Sequence, residues 1–223
     1  MAKTLFITGA STGIGAETAR AAAQAGWNVA LFARSQDKLD ALAEEIGDQA
    51  LAIAGDVTSF EEVSDAVSRT VERFGALDAI FANAGKGVEH PGTEKGDPSE
   101  WREMIDLNIM GVLYSAKAAL PELKKTRGHF LFTGSRAGRQ HLDGSIYGAT
   151  KWFVHGYVGN LAAEVREWGG RCTLISPGMV DTPFFDEGKP GKLTAQDVAD
   201  AVVFALGQRD TSCIREVHLM PTD

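Results

Sequence analysis

The chain has 223 residues, 44% apolar and 23% charged, ordinary globular values in a chain long enough to bury one sizeable core without a partner domain. A formal charge of −8 without a clustered basic face argues against nucleic-acid binding, because phosphate contacts rely on grouped Lys and Arg; Lys124, Lys125 and Arg127 read as a solvated helix end. Two cysteines, Cys172 and Cys213, are too few for a disulfide framework or a cysteine zinc site and fit a reducing cytoplasm.

Short apolar runs alternate with longer helical patterns from the first residues on. The runs Thr4–Thr8, Asn28–Ala33, Ala50–Ala54, Leu77–Ala82, His129–Thr133, Cys172–Ser176 and Glu216–Met220 predict strands. Between them, helical spacing and start signals predict helices near Ile14–Ala25, Gln36–Ile46, Phe60–Phe74, Ser99–Leu120, Ser145–Trp168 and Ala195–Leu206, with Ser59 and Glu62 forming a capping box. None of the apolar runs reaches the length of a membrane span or a signal segment, so a soluble, cytoplasmic chain with no membrane partner is expected. Gly85–Gly96 and Asp186–Lys192 are the candidate flexible loops.

Repeated strand–helix alternation with apolar strands predicts an α/β fold: one Rossmann-like, doubly wound parallel sheet of about seven strands, helices on both faces, over residues 1–223. Such sheets bind ligands beyond the carboxyl ends of their strands. After the first strand stands Thr8-Gly9-Ala10-Ser11-Thr12-Gly13-Ile14-Gly15, a glycine turn feeding a helix N-terminus. There free N–H groups and the positive dipole end attract a pyrophosphate. At the end of the second strand stand Ala33 and Arg34. An acid there would select the 2′-hydroxyl of NAD(H), whereas the guanidinium suits a 2′-phosphate, so NADP(H) is favoured and NAD(H) remains possible. The third strand ends at Gly55-Asp56-Val57 and the fourth at Asn83-Ala84-Gly85. Asp56 reads either as an acceptor for an adenine amino group or as a helix cap.

The fifth strand ends at Thr133-Gly134-Ser135, twelve residues before Tyr147 in Tyr147-Gly148-Ala149-Thr150-Lys151. Tyr147 and Lys151 are spaced i to i+4 and share a helix face, so the ammonium is expected to lower the phenol pKa toward a useful range. Ser135 could hydrogen-bond a substrate oxygen as its charge changes. No metal is implied, since His90, His129 and His141 are isolated and lack ligand spacing.

Taken together, the TGxxxGxG turn, the NAG at Asn83–Gly85, a mid-chain Asn108, Ser135 and the YxxxK at Tyr147–Lys151 resemble the short-chain dehydrogenase/reductase family across essentially the whole chain. The resemblance implies an oxidoreductase that interconverts a carbonyl and an alcohol, with Tyr147 as acid/base. By the same resemblance Gly9, Ser11, Thr12, Gly13, Ile14 and Gly15 surround the cofactor diphosphate, Asp56 and Val57 contact adenine, and Asn83, Ala84 and Gly85 support the adenosine end. Lys151 would hold the nicotinamide ribose, Ser135 the substrate oxygen and Asn108 a relay water. Pro177, Gly178, Val180 and Thr182 lie in a PGxxxT segment at the carboxamide.

Three departures from the family pattern stand out. Ser135 precedes Tyr147 by twelve residues, where many members have thirteen. The glycine turn carries Ser11 and Thr12 rather than an added basic residue, and only a short substrate-side segment, about 183–194, is available as a lid, which leaves an open mouth. Around it Lys86, Gly87, His141, Leu142, Met179, Phe184 and Phe185 form a mixed lining without a carboxylate clamp, pointing to a small or medium uncharged carbonyl. The family's long helices imply a homodimer or homotetramer, with Trp101, Met104, Ile105, Trp152 and Phe153 as residues costly to leave wet. The competing reading is a catalytically silent nucleotide-binding regulator on the same fold.

Overall fold

The computed structural model describes residues 2–185 and 187–222. In chain order it contains β1 (Thr4–Thr8), α1 (Gly13–Gln24), β2 (Asn28–Ala33), α2 (Gln36–Ile46), β3 (Ala50–Ala54), α3 (Phe60–Phe74), β4 (Ala79–Ala82), α4 (Pro98–Ile105), α5 (Gly111–Thr126), β5 (His129–Thr133), α6 (Ile146–Glu164), β6 (Arg171–Pro177), β7 (Val180–Asp181), β8 (Leu193–Thr194), α7 (Ala195–Leu206) and β9 (Glu216–Leu219). Seven parallel strands pair in the order β3-β2-β1-β4-β5-β6-β9, while β7 and β8 form a separate parallel pair. The doubly wound sheet is therefore present, and its order reverses between β1 and β4, where such sheets open a ligand crevice.

Alternation along the strands divides the core. Phe6, Phe32, Ile80, Phe130 and Phe132 face one side, packed with Val63 of α3, Val112 of α5 and Val158 of α6. Leu5, Ile7, Leu31, Phe81 and Leu131 face the other, against Ala19 of α1, Leu39 of α2 and Val202 of α7. Each fully buried Phe contributes roughly 1.5–3 kcal/mol by leaving water, which makes the strands a rigid floor for the loops above them.

The elements differ from the sequence reading where local geometry overrides periodicity. The helix expected over Ser99–Leu120 is two helices joined by one π turn, Asp106–Met110, and it starts earlier, at Pro98, where Asp97 caps by accepting from Ser99 N. The last turn of the helix expected over Ser145–Trp168 tightens to 3-10 geometry over Val165–Trp168. The capping box at Ser59 is half formed: Ser59 accepts from Glu62 N, but the Glu62 carboxylate instead accepts from Asp56 N at 2.9 Å. The first residue of the loop expected over Asp186–Lys192 lies outside the described residues. No helix among the described residues is long and apolar enough to cross a membrane.

His129 carries a pH-dependent cost. It is 1% exposed at the start of β5, bonded through Nε2 to Thr173 Oγ1 at 2.7 Å. Burial, then the charges of Arg171 and Lys3, push its pKa down to about 3. The unfolded chain binds this proton near pH 6.5 and the folded chain does not, so stability falls as pH drops through that window. A loss of about 2 kcal/mol from this group is expected by pH 5. Urea unfolding of wild type and His129→Gln should diverge between pH 7 and pH 5, the variant having the flatter profile.

Candidate active site

The carboxyl ends of β1, β4 and β5 are tied by polar side chains. Thr8 Oγ1 accepts from the backbone N–H of Asn83 and Ala84 at 3.0 and 3.1 Å. Asn83 Nδ2 donates to the Thr8 and Gly9 carbonyls at 3.1 and 3.4 Å, and its Oδ1 accepts from Thr133 Oγ1 at 3.0 Å. Asn83 thus holds the glycine turn in shape. Gly9 and Gly13 sit at φ +66° and +54°, left-handed conformations that side chains disfavour. Thr12 precedes α1 without a side-chain cap, which leaves the first-turn N–H groups and the dipole end available to an anion.

A cleft at the carboxyl ends of β2 and β3 is lined by Arg34, Ala54, Gly55, Asp56 and Glu62. Arg34 is exposed and makes no ion pair or hydrogen bond among the described residues. The Asp56 carboxylate accepts from Thr58 N and Oγ1 at 2.9 and 2.8 Å, so it shapes its own turn. Val57 is buried against Gly111 of α5. Val57 therefore serves packing at least as much as any ligand.

Ser135, Tyr147 and Lys151 converge beyond β5. Ser135 Oγ accepts from Ala137 N at 3.1 Å and is placed to favour the Tyr147 phenolate. Ser145 caps α6 by accepting from Gly148 N at 2.9 Å, starting the helix one residue before Ile146. That start puts Tyr147 and Lys151 on one face, with Lys151 Nζ 5.7 Å from the Tyr147 ring centre. Lys151 is 5% exposed and donates to the Thr133 carbonyl at 2.8 Å.

The titration behaviour corrects the sequence expectation. Burial pushes the Tyr147 phenol up to about 12, outweighing the Ser135 hydrogen bond that pulls it down. Burial pulls Lys151 down to about 8. Helical spacing brings the two groups together, but the desolvation that accompanies their burial favours both neutral forms. At pH 7 this leaves a protonated phenol, a proton donor, beside a lysine still mostly charged.

Asn108 is 1% exposed in the π turn between α4 and α5. Its Oδ1 accepts from Lys86 N at 2.9 Å, while Nδ2 donates to the Lys86 carbonyl at 2.9 Å and to Thr150 Oγ1 at 3.1 Å. Both amide hydrogens are therefore committed. Asn108 thereby clamps the Lys86 backbone against α6.

Pro177 ends β6 and Gly178 N donates to the Leu219 carbonyl at 2.8 Å, so the segment through buried Val180 is fixed to the sheet. Thr182 meets the glycine turn, where a methyl at Gly13 would lie 3.3 Å from its Cβ. The segment after β7 reaches the site. It brings Phe184 to 5.7 Å, ring centre to ring centre, from Tyr147. His90 is likewise not isolated: its Nδ1 lies 2.7 Å from Glu100 Oε1, and Glu89 is near enough to complete a three-ligand group. Sequence separation hid this group.

The family model described as short chain dehydrogenase matches residues 3–192. The chain belongs to the short-chain dehydrogenase family. As a member it is an oxidoreductase acting on CH–OH groups with a nicotinamide cofactor. An uncharacterised oxidoreductase of Staphylococcus saprophyticus is 39% identical over 98% of this chain and 97% of its own length. The chain is also similar to an alcohol dehydrogenase of Thermococcus sibiricus complexed with 5-hydroxy-NADP, with TM-score 0.92 and 33% identity over 100% of this chain and 97% of that one. It is similar as well to a 3-ketoacyl-(acyl-carrier-protein) reductase of Brucella melitensis complexed with NADH, with TM-score 0.88 and 28% identity over 97% and 96% of the two chains.

Proposed function

We propose that this short-chain dehydrogenase is an NADP(H)-dependent carbonyl reductase in which Tyr147 hands its phenolic proton to the substrate oxygen. The observation that carries the reading is the convergence of Ser135, Tyr147 and Lys151 at the carboxyl end of β5, beside the glycine turn. The residues present fit the cofactor: positive-φ glycines and an uncapped α1 N-terminus suit a diphosphate, and the cleft at Arg34 lies at the end of the neighbouring β2. When bound, the nicotinamide supplies or accepts the hydride. Gly9, Ser11, Thr12, Gly13, Ile14 and Gly15 would hold its diphosphate, and Asp56, Val57, Asn83, Ala84 and Gly85 its adenosine end. Lys151 would take the ribose, and Pro177, Gly178, Val180 and Thr182 the carboxamide. Ser135 orients the substrate oxygen toward Tyr147, and the segment at about 183–194 covers it. Measuring NADPH consumption across ketones, aldehydes, sugars and steroids tests this; cofactor binding with no turnover of any of them would favour the silent regulator.

The preference for NADP(H) rests on Arg34, an uncommitted guanidinium at the adenosine cleft. A charge-assisted pair is worth about 1.5–3 kcal/mol, or roughly 10- to 100-fold in affinity. Arg34→Asp should weaken NADPH by about that factor and leave NADH unchanged or tighter. Fluorescence titration at one ionic strength checks it, and equal affinities in the unmodified protein would remove the argument.

A homodimer or homotetramer is the proposed assembly. Trp152, Phe153 and Ile105 are exposed on α6 and α4, while Met104, expected among them, is fully buried and Trp101 half-buried. A methyl at Gly156 or Gly159 of α6 would meet nothing, which leaves room on that helix for close approach by another. Light scattering at micromolar concentration should give a multiple of the chain mass, reduced toward one chain by Trp152→Glu.

A further inference from the structure

One large apolar side chain stands where the reaction takes place. Phe184 is 43% exposed, yet its ring lies 5.7 Å from that of Tyr147, and a methyl at Gly87 would come within 3.6 Å of its Cζ. Phe184, Tyr147 and Gly87 therefore border one space, with Gly87 leaving room that any side chain would fill. The ring is held in place. Phe184 N donates to Thr182 Oγ1 at 3.4 Å, Phe185 N to the Thr182 carbonyl at 3.2 Å, and Lys189 N to Asp181 Oδ1 at 2.8 Å. Phe185 packs edge-on to Phe184 at 5.1 Å, with Lys189 Nζ 5.4 Å from its own ring centre on the far side.

Of the cations here, Lys86 and Arg139 are committed elsewhere, while Arg136, beside Ser135, is exposed with no ion pair or side-chain hydrogen bond among the described residues. Lys86 Nζ bonds Glu103 at 2.6 Å, and Arg139 forms a two-pronged pair with Glu216 at 2.9 and 2.7 Å. A substrate carboxylate beside the reacting carbon would have to draw Lys86 or Arg139 away from its acid or recruit the exposed Arg136, and against Phe184 it would face an apolar ring edge without compensation. An aryl or alkyl group meets the ring with no such cost and removes its exposed face from water.

We infer that Phe184 is the specificity-determining residue of this site, an aromatic wall that takes the apolar or aryl substituent of an uncharged ketone or aldehyde; this rests on the carbonyl-reductase reading. The test compares acetophenone with phenylglyoxylate, which have the same ring but differ in a carboxylate, by steady-state NADPH oxidation. Wild type should favour acetophenone by at least about tenfold in kcat/KM, and Phe184→Ala should lose at least about tenfold on it, mainly through KM. Phe184→Leu should recover part of the loss, with NADPH affinity unchanged in both variants. Preference for phenylglyoxylate, lost in Arg136→Ala, overturns the inference, as does a Phe184→Ala enzyme with unaltered selectivity. If neither carbonyl is turned over, 1-phenylethanol is titrated calorimetrically onto the NADPH-saturated protein. Binding weakened by Phe184→Ala then supports the wall and leaves the reductase reading to the wider carbonyl screen, and binding indifferent to Phe184 overturns the wall.

Discussion

Replacing Tyr147 with Phe is expected to lower carbonyl reduction by about 10²–10⁴-fold, the range that positioned acid–base groups contribute. The ring keeps its packing against Phe184 and loses only the phenolic O–H beside Ser135. NADPH affinity, read by fluorescence titration, should stay within about twofold, since the change removes less than one net hydrogen bond. The pH dependence has a definite sign. With the phenol pushed up to about 12, the proton donor is present throughout the neutral range and reduction should be flat there. Oxidation of an alcohol needs the phenolate and should climb with pH into the alkaline range. A Tyr147→Phe protein that keeps wild-type turnover, with contaminating reductases excluded, would require a different proton donor.

Replacing Lys151 with Met should weaken cofactor binding and turnover together while making the cofactor-free protein relatively more stable at neutral pH. The folded-state pKa of Lys151, about 8, lies below its unfolded value. Its destabilising contribution is therefore fully present below pH 8 and is relieved as pH rises toward 10.5. A shift of that size corresponds to about 3 kcal/mol, offset by about 1–3 kcal/mol when the Thr133 carbonyl loses its donor. The stability difference between Lys151→Met and wild type should therefore fall by about 2–3 kcal/mol between pH 7 and pH 10, measured by urea unfolding at both pH values. An unchanging difference would mean that Lys151 titrates normally. Cofactor affinity in wild type should also decline above pH 8, as an uncharged amine no longer attracts an anion.

Much of the sheet was legible because each strand is an apolar run of four to seven residues bounded by polar or glycine-rich turns. The β7–β8 pair was not, since two residues on each side leave no period to read. Ser135, Tyr147 and Lys151 could be placed because helical spacing fixes two of them and a strand end the third. What they do to one another could not, since desolvation depends on Phe184, 37 positions from Tyr147, and on sheet residues far away in the chain. Asn108 shows the same limit: the resemblance named it, but its bonds to a backbone 22 residues distant and to Thr150 follow from the fold alone. Arg34 was readable as a cation at the right strand end. That it lacks an acidic partner among the described residues is a fact of the fold alone.

The π turn at Asp106–Met110 closes through Gly111 N and the Asp106 carbonyl, a wider ring than an α-helix allows, holding one residue more than a regular turn. Deleting a single residue there would let α4 and α5 run on as one continuous helix. It would also rotate every side chain before the deletion by about a hundred degrees relative to those after it, and the amide of Asn108 could no longer meet Lys86 and Thr150 together. A chain selected only for helical regularity would discard that extra residue. Keeping it is what lets one amide reach Lys86 and Thr150 at once.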